Sequence, residues 1–263
     1  MTLGKWKRQA QMEWSGEGYA AISGLQKWLA EESLGQLQWR LRDEVLDLGC
    51  GDGKITAQIA PLVTRAVGVD FSQSMVEFAR QHHRMENLRF YQGDARTFRC
   101  DSTFDRLVSF NALHWIPEAE QPQVFATLAA LLKPKGQAHI RMVGEGPQKS
   151  LEEVMEDVRG LAHWAEFFGG YSKPFCHPSL EQVRHWASLA GLEVVEHRLD
   201  QKQWDFGSRQ AFEQWGNTTM VNWFGQVPEA RRPEFVRDVI DRYFSPQIFT
   251  FYQLVFELRP GSV

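Results

Sequence analysis

Residues 45–53 read VLDLGCGDG, and this stretch limits the possible folds more than any other part of the chain. Its apolar beginning predicts a buried strand that runs into a tight turn, since glycine accepts backbone angles closed to other residues. Residues 54–60 then have helical spacing and stop at Pro61. Strand, glycine turn and helix are typical of the first half of a nucleotide-binding βαβ unit, although an ordinary strand-to-helix turn also favours glycine and aspartate.

The charges around this turn indicate which ligand it holds. Asp47 and Asp52 flank the glycines, and Lys54 stands where a dinucleotide-binding loop would have its third glycine. A loop that cradles a pyrophosphate offers backbone N–H groups without nearby carboxylates. Two carboxylates favour a cationic ligand without phosphate, and S-adenosylmethionine, which has an amino group and a sulfonium, fits that description. A nucleotide-binding oxidoreductase is the alternative that these residues disfavour.

The chain downstream continues the same pattern. Asp70 ends the next apolar run, about 20 residues beyond the glycines, where open α/β nucleotide sites have the carboxylate that binds both ribose hydroxyls. Ser72 predicts the start of a helix that reaches His83. Residues 131–136 are expected to close a later helix. Further strands are predicted at residues 88–95, 104–111, 137–143, 192–199 and 249–258.

Five motifs in one order resemble the class I S-adenosylmethionine-dependent methyltransferases that act on small molecules. They are residues 47–53 (DLGCGDG), 68–72 (GVDFS), 93–95 (GDA), 104–105 (FD) and 132–136 (LKPKG). The resemblance implies an α/β, Rossmann-like fold with a seven-stranded, mostly parallel sheet, its last strand antiparallel, helices on both faces and a helical cap.

The resemblance also implies roles for individual residues in binding the cofactor. Gly49 and Gly51 would line its methionine part, and Asn111 would hold the methionine end through its backbone. Asp47 would order the loop and reach the amino group directly or through water. The other residues expected to bind the cofactor are Asp70 at the ribose, Asp94 and Ala95 at the adenine, and Phe71 and Met75.

Two stretches, residues 23–27 (SGLQK) and 109–116 (SFNALHWI), are similar to the carboxyl O-methyltransferases. The nearest members are the juvenile hormone acid methyltransferases and, more distantly, the trans-aconitate methyltransferases. By this likeness Gln26 and Trp115 would line the acceptor carboxylate.

The acceptor decides what catalysis requires. A carboxylate, with a pKa near 4, is already ionised at neutral pH and needs only a donor such as Gln26 or Trp115 to aim it. A hydroxyl or amine acceptor would need a base, for which His114 is the first candidate and His177 the second, unless His114 only packs or orients. A catalytically silent binding module on the same fold is a further alternative.

Composition favours a cytoplasmic enzyme that acts on a small molecule. A net charge of −4 and a pI near 6.1 disfavour nucleic acid as a partner. No apolar run reaches the roughly 18 to 20 residues of a membrane span, and the N-terminus shows no secretion signal. The three cysteines, Cys50, Cys100 and Cys176, suggest neither a disulfide framework nor a metal site.

Three regions are predicted along the chain. Residues 1–42 would form a helical lid and residues 43–144 the S-adenosylmethionine-binding core. Residues 145–263 would complete the sheet and insert helical cap segments at about 145–178 and 205–247. The chain after residue 160 is rich in aromatic residues, most of them expected to be ordinary core. Those that line a pocket would favour an apolar acid, with a methyl ester as product.

Overall fold

A computed structural model describes Trp28, Leu29, Glu32, Gly35 and residues 37–261 of the chain. Gln26 and most of the predicted lid lie outside these described residues. Seven strands form one sheet in the order β3-β2-β1-β4-β5-β7-β6. Strands β1 to β5 are parallel neighbours, and β7 runs antiparallel to β5. The predicted seven-stranded α/β fold with an antiparallel last strand is therefore confirmed.

The strands are β1 (Glu44–Leu48), β2 (Arg65–Asp70), β3 (Leu88–Gln92), β4 (Phe104–Phe110), β5 (Leu132–Val143), β6 (Leu192–Asp205) and β7 (Ile248–Pro260). The helices are α1 (Lys54–Ile59), α2 (Gln73–His82), α3 (Gln121–Leu131), α4 (Leu151–Arg159), α5 (Ala162–Ala165), α6 (Leu180–Leu189), α7 (Arg209–Thr219), α8 (Val221–Phe224) and α9 (Arg232–Arg242). Among the described residues no helix is long and apolar enough to cross a membrane.

The helix starts follow the sequence closely. Ser72 caps α2 by accepting a hydrogen bond from the Met75 N–H, as its position predicts. Ser179 caps α6 in a capping box with Gln182. In both places a small hydroxyl side chain satisfies an N–H that the first turn of the helix leaves without a partner.

One prediction about β5 is wrong. Residues 131–136 were expected to close a helix, but α3 ends at Leu131 and β5 begins at Leu132, which pairs with Phe104 of β4. Pro134 explains the early end, because the residue before a proline favours extended backbone and the proline has no N–H for a helix. The strand therefore starts five residues before its predicted beginning at Gln137, and a register shift separates its two parts.

The described residues fall into two compact units. The sheet unit comprises those within residues 23–145, 175–200 and 253–263, and the helical unit those within residues 146–174 and 201–252. The sheet unit has its core between the strands and the flanking helices, where Leu46, Leu107 and Ile140 are 0% exposed. Parallel strands end at the same edge of a sheet, so the turns after β1, β2 and β4 lie together there.

The helical unit has an aromatic core of its own. Trp164 and Phe235 are fully buried and meet edge to face, with ring centroids 5.2 Å apart. The indole N–H of Trp164 donates to Asp238 and that of Trp223 donates to Glu156, so both buried rings have polar partners. Many of the aromatic residues after position 160 therefore pack against one another inside this unit.

Candidate active site

The turn after β1 is hydrogen-bonded to β2 and borders open space at Gly51. The N–H groups of Gly49 and Cys50 both donate to the Val69 carbonyl, at 2.7 and 3.0 Å. Gly51 has a φ of 53°, and a Cβ placed on it would meet no atom within 4 Å. Gly49 has a φ of 84°, and a Cβ there would overlap the Cβ of Ala112. Glycine is thus needed at Gly49 for packing, whereas at Gly51 the open space suits a ligand.

Asp70, at the end of β2, binds the glycine loop through its carboxylate. One oxygen accepts the Gly51 N–H at 2.8 Å and the other accepts the Ser72 N–H at 2.9 Å. Burial raises the pKa of Asp70, and these hydrogen bonds oppose the rise. Because a carboxylate has about four lone-pair sites, it can accept two further hydrogen bonds, as from a vicinal diol.

Asp47 is a buried carboxylate with one of its two oxygens hydrogen-bonded. Its side chain is 1% exposed, and Oδ2 accepts the Thr56 hydroxyl at 2.6 Å. Oδ1 is buried without a hydrogen-bond partner. Burial raises the pKa of Asp47 to about 7, against the opposing Thr56 hydrogen bond. A cation beside Oδ1 would lower that pKa again, so this position suits a positively charged group.

The expected adenine-side residues lie at the ends of β2 and β3. The Gly93 N–H donates to the Asp70 carbonyl at 2.9 Å, which brings these two strand ends together. The two oxygens of the Asp94 carboxylate share the single N–H of Arg96 Nε, at 2.8 and 3.0 Å, and the hydrogen bonding to Arg96 outweighs burial and lowers the pKa of Asp94. Of the other expected residues, Phe71 is 54% exposed, Met75 is 4% exposed and Ala95 is partly buried against the sheet core.

Asn111 begins the turn after β4 in an unusual conformation. Its φ of 54° makes it the one non-glycine residue of the described chain with positive φ. Its N–H donates to the Arg141 carbonyl at 2.8 Å, and its Oδ1 accepts from Gln253 at 3.0 Å. The positions of Gly49 and Ala112 set this turn directly against the glycine loop.

His114 and Trp115 follow in a short 3₁₀ turn, Leu113–Trp115. His114 is 3% exposed, and its Nδ1 accepts the Val143 N–H at 3.4 Å. Burial lowers the pKa of His114 to about 3. The imidazole is therefore neutral, and because Nδ1 accepts, the ring proton resides on Nε2. Trp115 is partly buried, with its ring 5.2 Å from that of His114.

A second segment joins this turn from farther along the chain. The Cys176 N–H donates to the His114 carbonyl at 2.8 Å, and the His177 ring centroid lies 6.0 Å from that of His114. Phe175, which is 1% exposed, packs on His177 at 4.7 Å. His114 thus lies among aromatic rings.

Three residues that hold the site together were not predicted from the sequence. Thr56 supports Asp47, while Arg141 and Gln253 support Asn111. A signal existed for Arg141, since a cation within the apolar run Ile140-Arg141-Met142 must be buried and paired. No sequence signal marks Gln253, because its contact spans 142 residues.

Comparison with known proteins finds similarity to methyltransferases. Residues 45–136 match the family described as a methyltransferase domain. The chain is 26% identical to methyltransferase 235L of Invertebrate iridescent virus 6, over 88% of this chain and 86% of that protein. It is 28% identical to trans-aconitate 2-methyltransferase of Delftia acidovorans, over 88% and 89%. Juvenile hormone acid O-methyltransferase of Bombyx mori is 29% identical over 55% of this chain and 54% of its own length.

Solved structures agree on the fold. The YcgJ protein of Bacillus subtilis superposes with a TM-score of 0.63 at 17% identity, over 90% of this chain and 100% of that one. The complex of DhpI with SAH superposes with a TM-score of 0.58 at 17% identity, over the full length of both chains. Both solved structures therefore share the Rossmann-like fold described above.

Proposed function

Because the chain is a class I S-adenosylmethionine-dependent methyltransferase, we propose that it methylates the carboxylate of a small-molecule acid, with a methyl ester and S-adenosylhomocysteine as products. The cofactor supplies a methyl group that its sulfonium has already activated. The protein contributes position and the exclusion of water, which together lower the barrier by several kcal/mol. The acceptor oxygen then attacks in line, and no metal is part of the proposal.

The polar groups at the sheet edge fit the cofactor. Asp47 Oδ1, buried without a partner, would receive the amino group directly or through water. The open space at Gly51 would take the methionine chain, and Asp70 keeps capacity for the two ribose hydroxyls. Asn111 would hold the methionine end through its backbone. For the adenine we propose Asp94 and Ala95, with Phe71 and Met75 beside them.

The state of His114 is the observation that carries the choice of acceptor. A general base works best with a pKa near the working pH, whereas burial holds His114 near 3. The Val143 N–H occupies Nδ1, which leaves Nε2 as a donor. A donor suits an acceptor that is already an anion. This disfavours the second candidate, a hydroxyl or amine acceptor with His114 as base.

Two donors are proposed to aim the acceptor carboxylate, Trp115 through its indole N–H and Gln26 through its amide. The names of two relatives, juvenile hormone acid O-methyltransferase and trans-aconitate 2-methyltransferase, each specify an acid. The ring of His177 beside His114, and that of Phe175 packed on His177, favour an apolar body for that acid. Residues 1–42 remain proposed as the lid, and three free cysteines suit the cytoplasm, where we place the reaction.

A panel of fatty, terpenoid, aromatic and tricarboxylic acids, scored for methyl ester with labelled S-adenosylmethionine, tests the acceptor class. We expect turnover with at least one apolar acid and, at saturating cofactor, a kcat that does not change between pH 6 and pH 9. A kcat that rises with pH through a single ionisation, together with activity on alcohols or amines alone, would refute carboxyl methylation.

Trp115→Phe removes the indole N–H and keeps an aromatic ring. We expect kcat/KM for the acid to fall about 10- to 100-fold, the value of one hydrogen bond to a charged group, with binding of S-adenosylhomocysteine unchanged. Trp39→Phe is the matched control, because the buried Trp39 Nε1 has no hydrogen-bond partner to lose. Equal losses in both variants would contradict the role of Trp115.

A further inference from the structure

A chain of side-chain hydrogen bonds through the buried Arg141 and Gln253 ends on Asn111. Arg141, which is 0% exposed, donates from Nη2 to the side-chain oxygen of Gln253. Gln253, also 0% exposed, donates from Nε2 to Asn111 Oδ1 at 3.0 Å. The same Arg141 Nη2 also donates to the Glu32 carboxylate, at 3.0 Å, so Glu32 is the other end of the chain of hydrogen bonds. An ion pair between the buried Arg141 and the partly exposed Glu32 is thereby connected, through one glutamine, to the turn that follows β4.

That turn has little freedom. The left-handed region is unfavourable for most residues, and asparagine adopts it when hydrogen bonds hold it there, so the φ of 54° at Asn111 depends on its neighbours. The hydrogen bond to the Arg141 carbonyl fixes the backbone N–H, and the hydrogen bond from Gln253 fixes the side chain. Ala112 then fills the space that a Cβ on Gly49 would need. The placement of Asn111 therefore sets how closely the turn approaches the glycine loop.

We propose that Gln253 is a positioning residue for cofactor binding, which acts by holding Asn111, and with it the 111–115 turn, against the glycine loop. This inference rests on the proposed placement of the methionine end of the cofactor at Asn111. Gln253 lies on β7. Its amide oxygen accepts a hydrogen bond from Arg141, and its amide nitrogen donates to Asn111 in the turn at the site. Its amide suits this task, since it accepts from a guanidinium and donates to an amide oxygen at the same time.

An apolar residue at this position would deprive the buried Arg141 and the partly buried Asn111 of one hydrogen-bond partner each. The Arg141 Nη2 would lose one acceptor and Asn111 Oδ1 would lose its donor, and unmade hydrogen bonds cost most where water cannot replace them. We expect Asn111 to relax toward a more common conformation, because only its backbone hydrogen bond would remain to hold it. The cofactor would then meet a displaced carbonyl and a shifted Ala112.

Calorimetric titration with S-adenosylhomocysteine tests the proposal on Gln253→Met. We expect binding to weaken about 10-fold, within the range of coupling found between members of one hydrogen-bond network. Gln137→Met is the matched control, since Gln137 also joins β5 to β7, through Glu257, but lies toward the opposite end of β5. Its affinity should stay within about twofold of the wild type.

A second pair of variants separates positioning from general packing. Asn111→Gly adopts positive φ without strain, so in that background Gln253→Met should weaken binding by less than about twofold. Gln253→Glu keeps the acceptor for Arg141 and can accept from the Asn111 amide once that amide has turned, so its affinity should lie within about threefold of the wild type. If Gln253→Met does not fold, Gln253→Glu still tests the proposal through its affinity for S-adenosylhomocysteine.

Each outcome is decisive. Equal losses on Gln253→Met in the wild-type and Asn111→Gly backgrounds would overturn the proposal, as would unchanged affinity in Gln253→Met or a full loss in Gln253→Glu. Failure of the wild type itself to bind S-adenosylhomocysteine would instead refute the cofactor site on which the inference rests.

Discussion

The charge of Asp47 gives a quantitative prediction for the protein without cofactor. Its carboxylate is buried, with one oxygen bonded to Thr56 and the other without a partner. Because burial raises its pKa from 3.8 to about 7, the folded state binds a proton more tightly than the unfolded chain does. Stability must therefore fall as the pH rises through that window.

The size of the effect follows from the same shift. A rise from 3.8 to about 7 corresponds to about 4 kcal/mol of stability lost once the carboxylate is ionised. About 2 to 3 kcal/mol of this loss develops between pH 5 and pH 8. Asp47→Asn keeps an oxygen for Thr56 and cannot ionise, so we expect it to be more stable than the wild type by a margin that grows with pH.

Thermal unfolding of the cofactor-free protein from pH 5 to pH 8 measures that margin. The Tm difference should widen by roughly 5 to 10 °C, given the usual 2 to 4 °C per kcal/mol in a protein of this size. Asp94→Asn is the control of opposite sign, because Arg96 holds the pKa of Asp94 below its usual value. That variant should be less stable by a constant margin over this range, since its carboxylate is ionised throughout.

With saturating S-adenosylhomocysteine, the part of the wild-type Tm that depends on pH through Asp47 should disappear, because the amino group of the ligand would compensate the Asp47 charge. A pH-independent gap between Asp47→Asn and the wild type would refute the reasoning about the buried carboxylate. If the pH-dependent Tm difference persists unchanged with bound ligand, the proposed pairing of Asp47 with the amino group is refuted, and the reasoning about the buried carboxylate stands.

Three further predictions concern the loop, the ribose site and the helical unit. Gly51→Ala should cost about 1 to 2 kcal/mol and weaken S-adenosylhomocysteine binding more than 10-fold, while Gly49→Ala, which overlaps Ala112, should cost about 2 to 4 kcal/mol in thermal unfolding. Equal losses of unfolding free energy in Gly51→Ala and Gly49→Ala would contradict the overlap with Ala112 that distinguishes the two positions. Asp70→Asn retains one acceptor oxygen for the loop and should bind that ligand about 10- to 100-fold more weakly by calorimetry; unchanged affinity would exclude its ribose role. Glu156→Leu deprives Tyr171 and Trp223 of their acceptor and should lower the unfolding free energy in urea by about 2 to 4 kcal/mol, a change below 1 kcal/mol being the contrary result.

Local chemistry accounts for what the sequence predicted well. The glycines after β1, the cap at Ser72 and the acid at Asp70 all act within a few residues of their own position, and the structure has them at the predicted strand and helix ends. The count of seven strands and the antiparallel last strand followed from the family resemblance, whereas the strand order was not predicted, because no local pattern states which strands are neighbours. The early start of β5 at Leu132 was missed because Leu131 and Leu132 continue an apolar run that helix and strand share.

The supports of the site are long-range, and sequence patterns do not contain them. Arg141 and Gln253 are 112 residues apart, so their contact exists only once β5 and β7 are paired. The protonation of His114 likewise depends on its burial and on the Val143 N–H, neither of which its neighbours in sequence reveal. The proposed role of Gln26 stays a prediction, as that residue lies outside the described part of the chain.

The position of β7 between β5 and β6 affects how the chain folds during synthesis. When the ribosome has completed β5, the strand that will pair with its free edge is still more than 100 residues away, since Arg141 precedes Gln253 by 112 residues. At 5 to 20 residues per second, that edge waits roughly 5 to 20 seconds for its neighbour. A long strand with an open edge is a template for aggregation, so yield should depend on translation speed and chaperones.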